Sequence, residues 1–244
     1  MTTRYKTRAI VFRRENVNEA DRNFSVFTDD FGQLDIFAKA IRKIVSKLRN
    51  GIDIFFLSEI EFIQGKSRKT LTDANTIKRF DNILSDPERF NIATDIGEVM
   101  GVFIKGQEQD QELFNLLEES FCKLDDNNLQ NGKYFLVYYY FLWNIFSLLG
   151  YHSEVKNCAS CHGNLIPSQV YFSGKDGGVI CEDCFKKETD SSNYAQKINS
   201  DVVKILRIIL SKDWQTLSKL KIEPLTKKLL LDVSQNAIRA FCPN

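Results

Sequence analysis

Strand-like runs over the first 80 residues, helical periodicity from residue 85 onward, and two Cys-x2-Cys pairs separated by nineteen residues predict an α+β chain. The expected order is a small N-terminal β-barrel, then an all-helical domain interrupted by a four-cysteine zinc finger. The boundaries drawn in this way are 1–80 for the barrel and 81–244 for the helical domain, with a zinc-ribbon insertion at about 156–186. With 43% hydrophobic and 12% aromatic residues in 244, the chain carries enough apolar side chain for such cores.

Five runs account for the barrel: KTRAIVFRR (6–14), NFSVFT (23–28), QLDIFAKA (33–40), IDIFFLSEIEFIQG (52–65) and KTLTDAN (69–75). They are rich in Val, Ile, Phe and Thr, and pairs such as Phe24/Val26 and Leu34/Ile36 alternate as half-buried strands do. Turn residues and charges gather between them. Five short antiparallel strands leave edges that must be covered, and a closed OB-fold barrel is the natural solution. Strand position assigns Phe24, Phe27 and Phe37 to the barrel core in preference to base stacking.

Between the third and fourth strands lies Ala38–Arg49, AKAIRKIVSKLR, with five positive and no negative side chains in twelve residues. Ile41, Ile44, Val45 and Leu48 recur at 3–4 spacing and are expected to anchor this segment to the barrel. Lys39, Arg42, Lys43, Lys47 and Arg49 then project together into solvent. The plain alternative is an ordinary solvated helix face. Lys66, Arg68 and Lys69 form a second, smaller basic group.

Helices follow. Ser85-Asp86-Pro87-Glu88 reads as a capping box with Ser85 at the cap, opening a helix that stops near Gly106. Gln111–Leu124 and Tyr134–Leu149 come next, and Ser200–Leu210 and Pro224–Phe241 close the chain. The last has Leu225, Leu229, Val233, Ala237 and Phe241 on one stripe. Tyr134–Tyr151 is 18 residues without a charge, which reaches the lower limit for a membrane span. Its five tyrosines, Asn144 and Ser147 favour a helix buried on all sides instead. The N-terminus has cations on both sides of a four-residue apolar run and no signal-peptide core, so a cytoplasmic location is expected.

Net charge is +1, yet its distribution is uneven. Residues 1–80 hold 16 Lys/Arg against 10 Asp/Glu, residues 81–150 hold 4 against 12, and residues 151–244 hold 13 against 10. Such asymmetry points to separate surfaces for separate partners.

Cys158, Cys161, Cys181 and Cys184 fit the spacing of a four-thiolate zinc site, and Gln169–Ser173 with Gly177–Ile180 forms a hairpin that brings the two pairs together. One structural zinc ion is therefore expected, in a shell with no open position for substrate. The word CASCH (158–162) also matches a haem-attachment site, but that reading leaves the second pair unexplained and needs an exported protein. A redox dithiol requires a βαβ setting that is missing here. The HxE and PCxxC pattern of zinc deaminases is only echoed, since Asn157 stands where proline belongs. Cys122 and Cys242 read as plain thiols. There is no GxxxxGK[ST], GxGxxG, GxSxG or HExxH motif, and the two histidines, His152 and His162, both lie beside the cysteines. Binding is a more economical account than catalysis.

Tyr5–Val11 with Asn18–Arg22, Thr28–Gly32, Ala38-Lys39 leading into Arg42-Lys43 and Lys47–Arg49, then Ser85–Arg89, Tyr171–Ser173 and Gly177–Cys181, in this order, resemble the bacterial RecO family of DNA repair proteins over nearly the whole chain. The resemblance implies a non-enzymatic recombination mediator. Its OB-fold would bind single- and double-stranded DNA and anneal complementary strands. With RecR it would help load RecA onto DNA coated by the single-stranded-DNA-binding protein, and it would be cytoplasmic, at the nucleoid, with no membrane contact. The alternative of a different class is a zinc-ribbon adaptor that binds protein partners only.

Overall fold

β1 (Arg4–Val17), β2 (Asp21–Thr28) and β3 (Gly32–Ala38) form an antiparallel meander. β4 (Phe56–Gln64) and β5 (Lys69–Arg79) complete a closed barrel in the order β1-β2-β3-β5-β4. This is the five-stranded OB arrangement. Closure is uneven, because β3 meets β5 in parallel through only two registered pairs, Ile36 with Lys69 and Phe37 with Thr70. The structure is a computed structural model that describes residues 3–130, 132–167, 169–187 and 195–242.

The side-chain period of two places Ala9, Val11, Phe24, Val26, Leu34, Ile36, Ile60 and Phe62 in the barrel interior. Of the three phenylalanines expected there, only Phe24 arrives. Phe27 and Phe37 follow inward-pointing Val26 and Ile36 by one residue and so lie on the outer face, where both are nevertheless buried.

No continuous amphipathic helix forms over 38–49. Ala40 has φ 55°, a left-handed value that a right-handed helix does not accept, and its N–H is taken by the Asp21 carboxylate at 2.7 Å. The chain then makes successive turns and a single 3-10 turn at Lys47–Asn50. Ile41 is buried and Leu48 packs on the barrel core, whereas Ile44 and Val45 are 89% and 86% exposed. The fourth strand starts at Phe56 and not at 52, because Phe55 has φ 57° and its N–H bonds to the Val11 carbonyl at 2.8 Å.

Helix α1 (Asp81–Ser85), which the periodicity did not announce, precedes α2 (Pro87–Phe103). The cap of α2 is Asp86, one residue later than expected. Its carboxylate accepts from the N–H groups of Glu88 and Arg89, while the Ser85 hydroxyl ends α1 by donating to the Asp81 carbonyl at 2.8 Å. α2 lies against β1 at Gly97, where a Cβ would stand 2.6 Å from the Phe12 carbonyl oxygen. α3 (Gln111–Asp125) is capped by Asp110, and the buried Arg89 guanidinium donates to the Leu124 and Asp126 carbonyls at 2.8 and 3.1 Å. Carbonyls at the helix end thus meet one nitrogen of the buried charge, and the Asp86 carboxylate lies 3.7 Å from its Nε.

Contacts divide the chain into two compact units, Met1–Phe141 and Leu142–Asn244, with the division inside α4 (Phe135–Leu148). α4 is buried around most of its circumference, and no described helix is long and apolar enough to cross a membrane. In the second unit, β6 (Val170–Ser173) and β7 (Gly178–Cys181) form the expected hairpin, followed by α5 (Glu182–Lys187). β8 (Gln196–Ile198) joins β6 to give the order β7-β6-β8. α6 (Ser200–Leu210), the short α7 (Trp214–Leu217) and α8 (Pro224–Phe241) complete the unit. On α8, Leu225 is 63% exposed and outside the expected stripe, and Thr226, Leu230, Val233, Ser234, Ala237 and Phe241 face inward. Ser234 accepts the Trp143 indole N–H at 3.1 Å, a partner a buried indole requires.

Candidate metal centre and nucleic-acid interface

Each cysteine pair sits where the backbone turns sharply. Cys158 N–H donates to the Gly163 carbonyl and His162 N–H to the Cys158 carbonyl, both at 2.8 Å, so residues 158–163 close into a knuckle. His162, at φ 60°, makes its left-handed corner. Ala159 N–H bonds to the Val179 carbonyl at 2.8 Å and fixes that knuckle to β7. The second pair needs no loop of its own. Cys181 ends β7 and Cys184 lies on α5.

The four sulfurs lie within 4.8 Å of one another. Tetrahedral zinc with sulfurs at 2.3 Å sets an edge of about 3.8 Å, and Cys161 Sγ to Cys181 Sγ is 3.9 Å. Cys158 is fully buried and accepts the Cys181 N–H at 3.3 Å. Burial pushes the Cys158 thiol up, but N–H groups of Cys161, Cys181 and Ser160 outweigh it and bring the thiol down to about 6. At Cys184 the Ser160 hydroxyl pulls downward, while burial and the other three cysteines push the thiol up to about 12. Four sulfurs this close could hold a metal ion among them. The donor set fits a divalent ion that prefers sulfur, with all four positions filled by protein.

Anchors outside the cysteines hold the finger in its unit, and spacing alone did not reveal them. The Glu154 carboxylate accepts from Lys156 and Asn157 N–H groups at 2.6 and 3.0 Å. The Arg207 guanidinium of α6 donates to the Val155 and Lys156 carbonyls at 2.7 and 3.1 Å. Gly174 N–H donates to Asn236 Oδ1 of α8 at 3.0 Å, and a Cβ at Gly174 would come within 2.6 Å of the Ala240 Cβ. Tyr171 and Phe185 stack at 3.9 Å between ring centroids. The only precursor of these contacts in the sequence is the glycine pair that bounds the hairpin turn. His152 and His162 stand outside the cluster, and Cys122 accepts the Lys78 ammonium at 3.1 Å.

In the barrel unit, Lys39, Arg42, Lys43, Lys47 and Arg49 are all exposed. Arg42 donates to the Asn18 carbonyl at 3.2 Å, and its N–H bonds to the Ala20 carbonyl, which ties the segment to the β1–β2 turn. Among the described residues, none of the five is in an ion pair. By contrast, Lys6 is neutralised by Glu59, Arg8 by Asp29, and both Arg14 and Arg22 by Asp53. At the other end of the segment, the Thr76 hydroxyl donates to the Asn50 carbonyl at 2.8 Å, and Gly51 lies so close to β5 that a Cβ would meet the Ala74 oxygen at 1.9 Å. The basic segment is thus pinned at both ends.

The second basic group meets the same end of β3. Lys69 pairs with Ile36, and the Arg68 guanidinium lies 3.6 Å above the Phe37 ring, two residues before Lys39. Lys66 is exposed in the β4–β5 turn. Phe37 therefore emerges as a platform for Arg68, a role its assignment to the core had hidden.

Comparison with known proteins agrees with this layout. Residues 1–80 match the family model of the recombination protein O N-terminal region, and residues 84–240 match that of its C-terminal region. A DNA repair protein RecO of Dehalococcoides mccartyi is 34% identical over 97% of this chain and 88% of its own length. RecO proteins of Desulfitobacterium hafniense and Caldanaerobacter subterraneus subsp. tengcongensis are 26% and 25% identical over 95% and 91% of this chain, covering 82% and 87% of their own lengths. With both regions matched across an OB barrel, a helical part and a four-cysteine cluster, the chain belongs to the RecO family of DNA repair proteins.

Proposed function

We propose that this chain is a non-enzymatic DNA-binding and strand-annealing factor of recombinational repair. In this reading residues 1–80 bind single- and double-stranded DNA, and residues 81–244 form a helical domain whose finger, at about 156–186, is held by one structural zinc on Cys158, Cys161, Cys181 and Cys184. Together with RecR it helps load RecA onto DNA covered by single-stranded-DNA-binding protein, in the cytoplasm at the nucleoid.

The observation that carries the reading is the set of cations at 39–49, free of carboxylate partners among the described residues and fixed to the barrel at both ends. The strand face beside it is less suited to phosphates. There a groove of about 700 Å3 is lined by Glu15, Asp35 and Glu98 against one cation, Arg13. Phosphates should therefore follow the loop, with Lys66, Arg68 and Lys69 extending the path. Annealing then needs no nucleotide, since neutralising two backbones at one basic surface removes the repulsion that slows complementary strands from meeting.

Reversing Arg42, Lys43, Lys47 and Arg49 to glutamate tests this. Gel shifts and fluorescence annealing assays should show both activities abolished, with zinc content and melting temperature near wild type. In the wild type, five loop contacts would give a salt slope of about −3.5 on single strands. Annealing retained by the quadruple variant would move the site to Lys66, Arg68 and Lys69, and a wild type that never shifts DNA would favour a zinc-ribbon adaptor.

A further inference from the structure

The turn at the tip of the basic segment is built from the wrong residues for a turn that only meets water. Ser46 N–H bonds to the Lys43 carbonyl at 3.0 Å, so Lys43-Ile44-Val45-Ser46 is a hydrogen-bonded turn whose two central residues are both β-branched and apolar. Such positions ordinarily go to Gly, Asn, Asp, Pro or Ser. Ile44 and Val45 are 89% and 86% exposed, the two highest values among the exposed large hydrophobic side chains described. The tip is also held in place. Ile41 on one side is 1% exposed in the barrel core, Leu48 on the other packs against that core, and the backbone is tied to Ala20 and, through Asn50, to Thr76. Immediately around the apolar pair stand Arg42, Lys43, Lys47 and Arg49, with no carboxylate between residues 36 and 52.

An apolar pair on a fixed tip, flanked in the chain by exposed cations, matches one kind of partner best, a polyanion that offers apolar surface between its charges. Stacked bases flanked by phosphates do so. We infer that Ile44 and Val45 form a wedge that enters the base stack of bound DNA and separates neighbouring bases while the surrounding cations hold the phosphates. This rests on the DNA-binding reading of the loop and adds to it the way the bases are met. A wedge that unstacks bases exposes their pairing edges, which is what a strand must offer before it anneals to its complement.

The test uses the full-length protein with zinc bound and oligonucleotides carrying 2-aminopurine, which is quenched while stacked. Wild type should raise the fluorescence on binding. Ile44→Ser/Val45→Ser should still bind with the same salt slope, about fivefold more weakly, and without the fluorescence rise. Ile44→Leu/Val45→Ile, which keeps the apolar tip, should restore it. A rise that survives in the serine variant, or binding by wild type with no rise at all, overturns the wedge while leaving phosphate binding standing. Absence of any DNA binding overturns both readings. Binding to phosphatidylglycerol vesicles that depends on Ile44 and Val45, without a fluorescence rise on DNA, would assign the tip to a lipid surface instead.

Discussion

Truncating Phe24 and Phe37 separately should have unequal consequences, because the two rings lie on opposite faces of the barrel wall. Phe24 is fully buried in the interior cluster, and its neighbours there, Val26, Ile36 and Phe62, are themselves buried. Phe24→Ala should cost about 3–5 kcal/mol, which at about 2–4 °C per kcal/mol lowers Tm by about 6–20 °C. Phe37 is 7% exposed, and what covers it is a guanidinium at 3.6 Å on a flexible side chain that can follow into the space left behind. Losing that cation–π contact costs about 0.5–1 kcal/mol. With the lost packing, Phe37→Ala should cost on the order of 1–2 kcal/mol, about 2–8 °C in Tm. Arg68 loses its platform beside Lys69, so Phe37→Ala should weaken single-stranded DNA binding, and Phe24→Ala should leave the affinity of the folded fraction unchanged. Thermal melts by circular dichroism and fluorescence anisotropy with a labelled oligonucleotide read the two effects separately. A Phe37→Ala variant that loses as much Tm as Phe24→Ala with DNA affinity intact would refute the assignment of faces.

Elemental analysis should find about one zinc per chain, and Cys161→Ser should lose it together with the stability of the second unit; a metal-free native protein that is equally stable would remove the zinc from the account. Glu154 gives a pH signature. N–H groups of Asn157 and Lys156 hold its carboxyl below the ordinary 4.5, so its contribution is fully present above 4.5 and is lost as pH falls through the lower folded value. Urea titrations of wild type and Glu154→Gln should differ at neutral pH and converge below about pH 4.5, and a difference that widens on acidification would contradict that sign.

What could be read from the sequence was local in its physics. α6, capped by Asn199, and α8, opened by Pro224, carry 3–4 periodicity and appear at Ser200–Leu210 and Pro224–Phe241, as expected. The finger hairpin was legible because two cysteine pairs and a turn glycine all lie within one short stretch. The misplacements have equally definite causes. Ser85 and Asp86 are both good caps, and only the short α1, which uses the Ser85 hydroxyl for its own last turn, makes Asp86 the one that serves α2. Ala40 and Phe55 adopt left-handed φ although neither is glycine, asparagine or aspartate. What holds them there is long-range, the Asp21 carboxylate for Ala40 and the Val11 carbonyl for Phe55, and no window of sequence around either residue contains its partner. The same holds for the finger's anchors, since Arg207 and Asn236 lie 52 and 62 residues from the atoms they bind.

The basic segment shows why the kind of error matters as much as its location. Ile41, Ile44, Val45 and Leu48 fit a helical stripe, and a helix would have buried all four against the barrel and left a ring of cations with no apolar centre. Extended Ser46, at φ −70° and ψ 121°, interrupts that stripe between Val45 and Lys47, so the outer two residues anchor and the inner two are lifted to the tip of a turn. A chain that needed only phosphate contacts would gain from serine or glycine at 44 and 45, which suit the turn and remove exposed apolar surface. Keeping two β-branched side chains there runs against local propensity and against solvation at once. Places where a sequence departs from both are where function is to be sought, and here the departure sits among cations that no carboxylate neutralises among the described residues.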